Sequence, residues 1–318
     1  MKLSSLERVI ELLGWLATAS AGGLLLTQAV GWNGSMLLAA LHALTPYLLA
    51  VTIPVAGVAS WRKRHGLAIT SSFVGLGTLL LAWPLVFASD LPAPDPNGTE
   101  ISVAAVNLLF SNPVISDAAD DLLLRDADVI LFSEYTVRHQ SALRAHRVAG
   151  AYPYKVERNG LYASGIALWS KYPITVNQQP RTGRSTLDLL IDGPDEPIRI
   201  FGVHPPTPIS TFDGWIADLK IFGELGSAAT EPTLIVGDFN ASYWHPAFRD
   251  LLRSGLSDAH TTHGQGFSAS WPTDKFFPAF VRLDHALTKN GLVSTSVQDF
   301  TVAGSDHRGF VVSVVPAR

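Results

Sequence analysis

Leu234-Ile235-Val236-Gly237-Asp238-Phe239-Asn240 begins with three apolar residues and a glycine, then ends on a carboxylate and an amide. A short apolar run of this kind fits a buried strand, and its polar end is where the sheet stops. The pattern recurs through the C-terminal two thirds of the chain. Asn107 follows Val103-Ala104-Ala105-Val106, Glu134 follows Asp128-Val129-Ile130-Leu131-Phe132-Ser133, and His204 follows Phe201-Gly202-Val203. Asp284 ends Arg282-Leu283, and Asp306-His307 precedes the last apolar run. Strands are predicted at 101–109, 129–132, 165–169, 198–203, 233–236, 283–287 and 310–315, with helices at 116–125, 137–147 and 212–225. The stretches 175–186 and 254–280 lack a clear period. This order predicts a layered α/β or α+β sandwich. Each polar residue alone has an ordinary reading as a turn former, a helix N-terminal acid or an end cap. The whole set, each at the end of a strand, points instead to one chemically active sheet edge.

Toward the N-terminus the composition changes. Only seven of the 50 charged residues lie in 1–88: Lys2, Glu7, Arg8, Glu11, Arg62, Lys63 and Arg64. Between Glu11 and Arg62 there are 50 residues without a charge, long enough as helix to cross a hydrocarbon core twice. Gly31-Trp32-Asn33-Gly34-Ser35 offers the turn between those crossings, and Leu67–Ala88 supplies a third apolar run of 22 residues. The reading is therefore a membrane domain of three transmembrane helices at 1–88, a Pro-rich linker at 89–100 and a catalytic domain at 101–318. A cleavable signal peptide would explain the first run but not the other two. Basic residues before the first span and between the second and third place those loops in the cytoplasm. The catalytic domain is then expected on the outer side of the cell membrane. Glu11 and His42, in or beside the spans, read as a helix-start acid and a helix-contact residue.

The charges divide unevenly. The whole chain is −4 at pH 7, but 1–88 carries +3 and the remainder −7. The absence of cysteine excludes disulfides, thiol nucleophiles and cysteine-ligated zinc. Composition also excludes a disordered, collagen-like or coiled-coil chain.

The ordered motifs resemble those of the endonuclease/exonuclease/phosphatase superfamily. They are Val106-Asn107-Leu108, Asp128–Glu134, Gly165–Pro173, His204, Gly237-Asp238-Phe239-Asn240, Arg282-Leu283-Asp284 and Ser305-Asp306-His307, with Ser270-Trp271-Pro272 at a further family position. The resemblance implies a four-layered α/β sandwich with two central mixed β-sheets (DNase I-like). It implies that Glu134 is the principal ligand of a divalent cation, Mg²⁺ or Mn²⁺, with Asn107 and Asp306 in support. Asp238 is implied to orient the attacking water, and Asn240 to hold the phosphate or nucleophile. His307, held by Asp284, and His204 are implied donors to phosphoryl or leaving oxygens. His245 and His285 read as packing residues, His260 and His263 as a loop pair, and Arg158 and Lys171 as solvated surface.

Nucleic-acid binding draws on phosphate neutralisation by Lys and Arg, which a domain of net charge −7 with no basic run supplies poorly. The anchored arrangement resembles the VanJ-like membrane-bound branch of the superfamily. That implies a membrane-lipid substrate, such as a polyprenyl pyrophosphate carrier. An outward-facing nuclease, a phospholipase C or sphingomyelinase-like phosphodiesterase, and a non-catalytic binding module are the rival expectations.

Overall fold

The computed structural model describes residues 4–88 and 92–317. Lys2, part of the orientation argument, and Ser89–Leu91 of the expected linker lie outside the described residues. The chain divides into two compact units, residues 1–84 with 244–246 and residues 85–243 with 247–318.

In the first unit, α1 spans Ser5–Ala29, α2 Met36–Ala43, α3 Leu48–Trp61 and α4 His65–Val86. A capping box starts α1: Ser4 Oγ accepts from Glu7 N, and Glu7 Oε2 accepts from Ser4 N at 2.9 Å. α1 and α4 are each long and apolar enough to cross a membrane. The expected second span is not one straight helix. Pro46, in a 3₁₀ turn over Thr45–Tyr47, breaks it, and the two parts are bent by 54°. They are long and apolar enough only when taken together, so the described residues hold two such helices, or three if the bent pair is one span. Polar side chains inside the unit pair with one another, as a low-dielectric setting demands. Thr18 meets Ser71 at 2.6 Å, Thr27 meets His42 at 2.9 Å, and Gln28 donates to Thr45 at 2.8 Å. Glu11 pairs with Arg64 at 3.2 Å and Glu7 with Arg62 at 2.9 Å. Phe73, Ile69 and Leu80 face outward.

The second unit is built on two six-stranded sheets. The strands are β1 Ile101–Asn107, β2 Val129–Ser133, β3 Tyr154–Arg158, β4 Ile166–Ser170, β5 Ile174–Val176 and β6 Thr186–Asp192. They continue with β7 Pro197–Val203, β8 Thr233–Asp238, β9 Ser257–Asp258, β10 Asp284–Lys289, β11 Leu292–Thr301 and β12 Arg308–Pro316. The first sheet has the order β11-β12-β1-β2-β4-β3 and the second β5-β6-β7-β8-β10-β9. β1/β2 and β7/β8 are parallel and their other neighbours antiparallel, so both sheets are mixed.

Alternation along the strands assembles the layers. Val103, Ala105, Leu131 and Leu168 pack against Leu189, Ile200 and Val236 between the sheets. On the other face of the first sheet Ala104, Val106, Phe132 and Trp169 cover Ala118 and Leu122 of α5 (Ile115–Arg125) and Leu143 of α6 (Val137–Ala145). α7 (Phe212–Ala228) buries Trp215, Leu219 and Phe222, and Phe222 meets Phe239 edge-on at 6.0 Å. The short helices α8 (Pro246–Arg253) and α9 (Ala259–Thr262) follow. This is the expected four-layered sandwich with two central mixed sheets.

Candidate active site

Register decides which residues meet. In the first sheet Asn107 lies opposite Ser133, which lies opposite Ile166, so Asn107 and Glu134 leave neighbouring parallel strands at one edge. In the second sheet Gly237 lies opposite Val203, and Asp238 opposite Asp284. His204, Asp238 and Asp284 therefore stand side by side. A Cβ on Gly237, where φ is +139°, would lie 2.2 Å from the Val203 carbonyl oxygen, so only glycine permits this approach beside Asp238. The turn before β12 adds Asp306 and His307. It is tied to β1 by Ser305 Oγ, which donates to the Asn107 carbonyl at 2.6 Å and accepts from His307 N at 3.0 Å.

All eight residues predicted as a site converge here. Asn107 Nδ2 reaches Asp238 at 3.0 Å and Glu134 at 3.2 Å, bridging the two sheets. Its Oδ1 accepts from Leu109 N, which fixes the amide's orientation. Glu134 has φ +59° and Asn240 φ +47°, left-handed positions that concentrate at functional sites. Glu134 Oε2 accepts from Phe110 N at 2.9 Å, and the Glu134 carbonyl accepts from His139 Nδ1 at 3.0 Å. Burial raises the Glu134 carboxyl, and nearby Asp238 and Asp306 add to the rise. Asn240 N donates to Asp238 Oδ1 at 2.8 Å, and Asn240 Nδ2 to the Pro205 carbonyl at 3.0 Å.

The two histidines differ electrostatically. Burial draws His204 down to about 4, with Arg184 and His307 acting in the same direction and Asp238, 3.7 Å away, opposing. Burial would also lower His307, but Asp284 and Asp238 outweigh it and hold His307 at about 10. Its Nδ1 donates to Asp284 Oδ2 at 2.8 Å, and its Nε2 stands 3.9 Å from Asp238. The two buried imidazoles are thus shifted in opposite directions, the separation expected where two like groups take different roles.

The donor set fits a hard divalent cation. Asp306 Oδ2 accepts from Trp271 Nε1 at 3.1 Å, while its buried Oδ1 has no hydrogen-bond partner. An acceptor in that condition wants a cation or a bound water. Ligand atoms of Asp238, Asp284 and His307 also lie within 4.8 Å of one another and could hold an ion. The His307–Asp284 bond already engages two of those three, whereas Asp306 keeps an oxygen without a partner.

Three supports were not named from sequence. Arg184, just before β6, brings Nη1 within 3.5 Å of His204 Nε2. Its loop is fastened to α7 by buried Asp218, whose two oxygens accept from Gly183 N at 2.8 and 3.0 Å. Thr273 N donates to the Asp306 carbonyl at 2.8 Å. Arg184 and Gly183 fall in the aperiodic 175–186 stretch, so no pattern singled them out. His285 packs as read, but His260 and His263 are not a loop pair, since His260 is buried within α9 and His263 is that helix's C-cap. His260 meets Asp299, His263 meets Ser294, and His285 meets Asp258 and the Ala241 carbonyl. Lys171 pairs with Asp126 and Asp128, and Arg158 is exposed.

A family model described as "Endonuclease/Exonuclease/phosphatase family" matches residues 104–307. No curated protein matches the sequence. Among solved structures, humanized TDP2 of D. rerio aligns with TM-score 0.57 at 15% identity, over 68% of this chain and 98% of its own. D. rerio TDP2 complexed with a single-strand DNA product aligns with TM-score 0.56, 15% identity, and 68% and 99% coverage. An endonuclease/exonuclease/phosphatase family protein of Bacteroides thetaiotaomicron gives TM-score 0.53 at 14% identity, with 70% and 100% coverage. At these identities the likeness is one of fold.

Proposed function

The chain belongs to the endonuclease/exonuclease/phosphatase family, and from that premise we propose that it is a membrane-anchored, extracytoplasmic phosphoesterase. Members of the family are hydrolases of phosphate esters. The substrate proposed is a lipid-linked phosphate or pyrophosphate of the polyprenyl carrier kind, the role proposed for the VanJ-like branch that the chain resembles. The observation carrying the chemistry is the buried Asp284–His307 pair, 2.8 Å apart, beside Asp238 and His204. The observation favouring lipid is that the same chain holds helices apolar enough to cross a membrane, while the catalytic part is −7.

In this reading the substrate phosphoryl group lies between His307, His204 and Asn240. Asp238 accepts a proton from the attacking water and aligns it with phosphorus. His307 donates to a phosphoryl oxygen as the bond to the leaving oxygen breaks, and Asp284 keeps the imidazolium in place. Arg184 adds a cation on the His204 side. Glu134, Asn107 and Asp306 would hold Mg²⁺, or Mn²⁺, which when bound neutralises charge developing on phosphate oxygens.

The test offers full-length protein with Mg²⁺ four substrates in vesicles or detergent: polyprenyl pyrophosphate, phospholipids, sphingomyelin and single-stranded DNA. Release of inorganic phosphate from the first is expected. Nicking of DNA without phosphate release would replace the lipid reading by a nuclease. Release of phosphorylated headgroups would replace it by a phospholipase C-type activity.

A further inference from the structure

The catalytic edge is ringed by apolar side chains that the chemistry above does not use. Leu161 and Tyr162, in the β3–β4 loop, are 83% and 75% exposed, Ile209 after β7 is 62% exposed, and Phe276 is fully exposed. Phe110 and Phe277 complete the ring. Strand register puts these loops at the same edge as the site: Arg158 and Ile166 flank the β3–β4 loop level with Ser133, and Val203 precedes the Ile209 loop level with Gly237.

Each loop is fastened to catalytic residues, so the apolar tips are held in place. Gly160 N donates to the Tyr135 carbonyl at 3.0 Å, and Tyr135 N to the Gly165 carbonyl at 3.1 Å, directly after Glu134. Phe110 donates its N–H to Glu134, and its ring meets Tyr162 edge-on at 5.8 Å. Asn240 holds the Pro205 carbonyl at the root of the Ile209 loop. Thr273 holds Asp306, and in the same loop Phe276 and Phe277 meet edge-on at 5.1 Å. Lys275 is paired with Asp274, so this tip carries no net charge.

Exposed apolar rings around a polar centre mark a surface that meets something apolar. Chain connectivity selects what that is. α4 ends at Val86, and Pro94 is already bridged to Ala317 at the end of β12. The seven residues between them reach no further than about 25 Å. If α4 spans a membrane, the catalytic unit is confined to that membrane's surface. A domain of net charge −7 gains nothing electrostatically from an anionic leaflet, leaving apolar insertion as the attractive contact.

We propose that this ring is a membrane-docking face, whose tips enter the lipid interface and seat the site's mouth on the headgroups. The proposal rests on the lipid-substrate reading for its purpose, but insertion can be measured without turnover. The chain has no cysteine, so F276C and L161C give single sites for an environment-sensitive fluorophore. L124C, at an exposed position on α5, is the control. Full-length protein is reconstituted into phosphatidylethanolamine/phosphatidylglycerol vesicles. The labels at 276 and 161 should move to shorter wavelength and lose roughly half their emission to lipid-borne spin labels, and the label at 124 should not.

Aqueous emission at all three positions would overturn the proposal. So would a blue shift insensitive to lipid quenchers, which would assign the ring to a protein partner or a second copy of the chain. A double variant, F276S/F277S, should lose about tenfold in turnover of vesicle lipid while keeping turnover of a water-soluble phosphate ester. Equal loss on both substrates would also contradict it. If the unsubstituted protein hydrolyses neither substrate, the phosphoesterase reading falls, and the fluorescence result still decides docking.

Discussion

His307 and His204 lie buried in one cluster yet shift in opposite directions, because burial prevails over Asp238 at His204, whereas Asp284 and Asp238 together outweigh burial at His307. Asp284 is bonded to His307 Nδ1 at 2.8 Å, whereas His204 has Arg184 beside it. Replacing Asp284 by Asn keeps the shape but removes the charge that holds the imidazolium and its orientation. We expect Asp284→Asn to lower kcat/KM about a thousandfold on a soluble phosphate ester, with a folded circular dichroism spectrum. Retention of activity within a few-fold would remove His307 from the chemistry. At this scale the sequence was highly legible: all eight predicted site residues converge, because each ends or follows a strand whose register the apolar pattern specifies. Arg184 and Asp218 were not legible. Their roles depend on a loop meeting a helix, a contact that no periodicity records.

Strands and helices were readable in proportion to their burial. The central strands β1, β2, β4, β7, β8, β10 and β12 stood out as apolar runs. β3, β5, β9 and β11 lie at sheet edges, where one side faces solvent and the apolar signal thins. β6 was hidden for another reason. Asp188 in its middle looks like a turn residue but is buried against Arg199 of β7 at 2.8 Å. The second membrane segment likewise read as continuous because hydropathy does not register the break at Pro46. α6 carries a testable element of pH dependence. His139 sits at N3 of α6 with its Nδ1 donating to the Glu134 carbonyl, is fully buried, and is lowered from 6.5 to about 4 by burial. A folded-state value below the unfolded one means the folded protein binds fewer protons. The stabilisation is complete above pH 6.5 and declines as pH falls toward 4, by about 3 kcal/mol at most. His139→Gln keeps a side-chain donor for the Glu134 carbonyl that does not titrate. Its melting temperature should fall less between pH 7 and pH 5 than that of the parent. Parallel declines would show that His139 is not a source of acid sensitivity.

For the whole molecule, the charge split and the strand ends report on different matters. The +3 of 1–88, concentrated at Arg62-Lys63-Arg64, bears on topology, and the −7 of the remainder bears on substrate. The proposal counts the bent pair as one span, so that three crossings would carry the catalytic unit outward. Reporter fusions after residues 34 and 318 should then both give an extracytoplasmic signal, and one after residue 63 a cytoplasmic signal. A cytoplasmic signal after residue 318 would reverse the orientation or reduce the spans to two. The most direct measurement is inorganic phosphate release from vesicle-borne polyprenyl pyrophosphate by the full-length protein, Asp238→Asn and His307→Ala, with Mg²⁺ or with EDTA. The account predicts release by the parent protein with Mg²⁺, and loss of about a hundredfold or more in both variants and on chelation. Release that persists in the variants, or its absence in the parent, would contradict it.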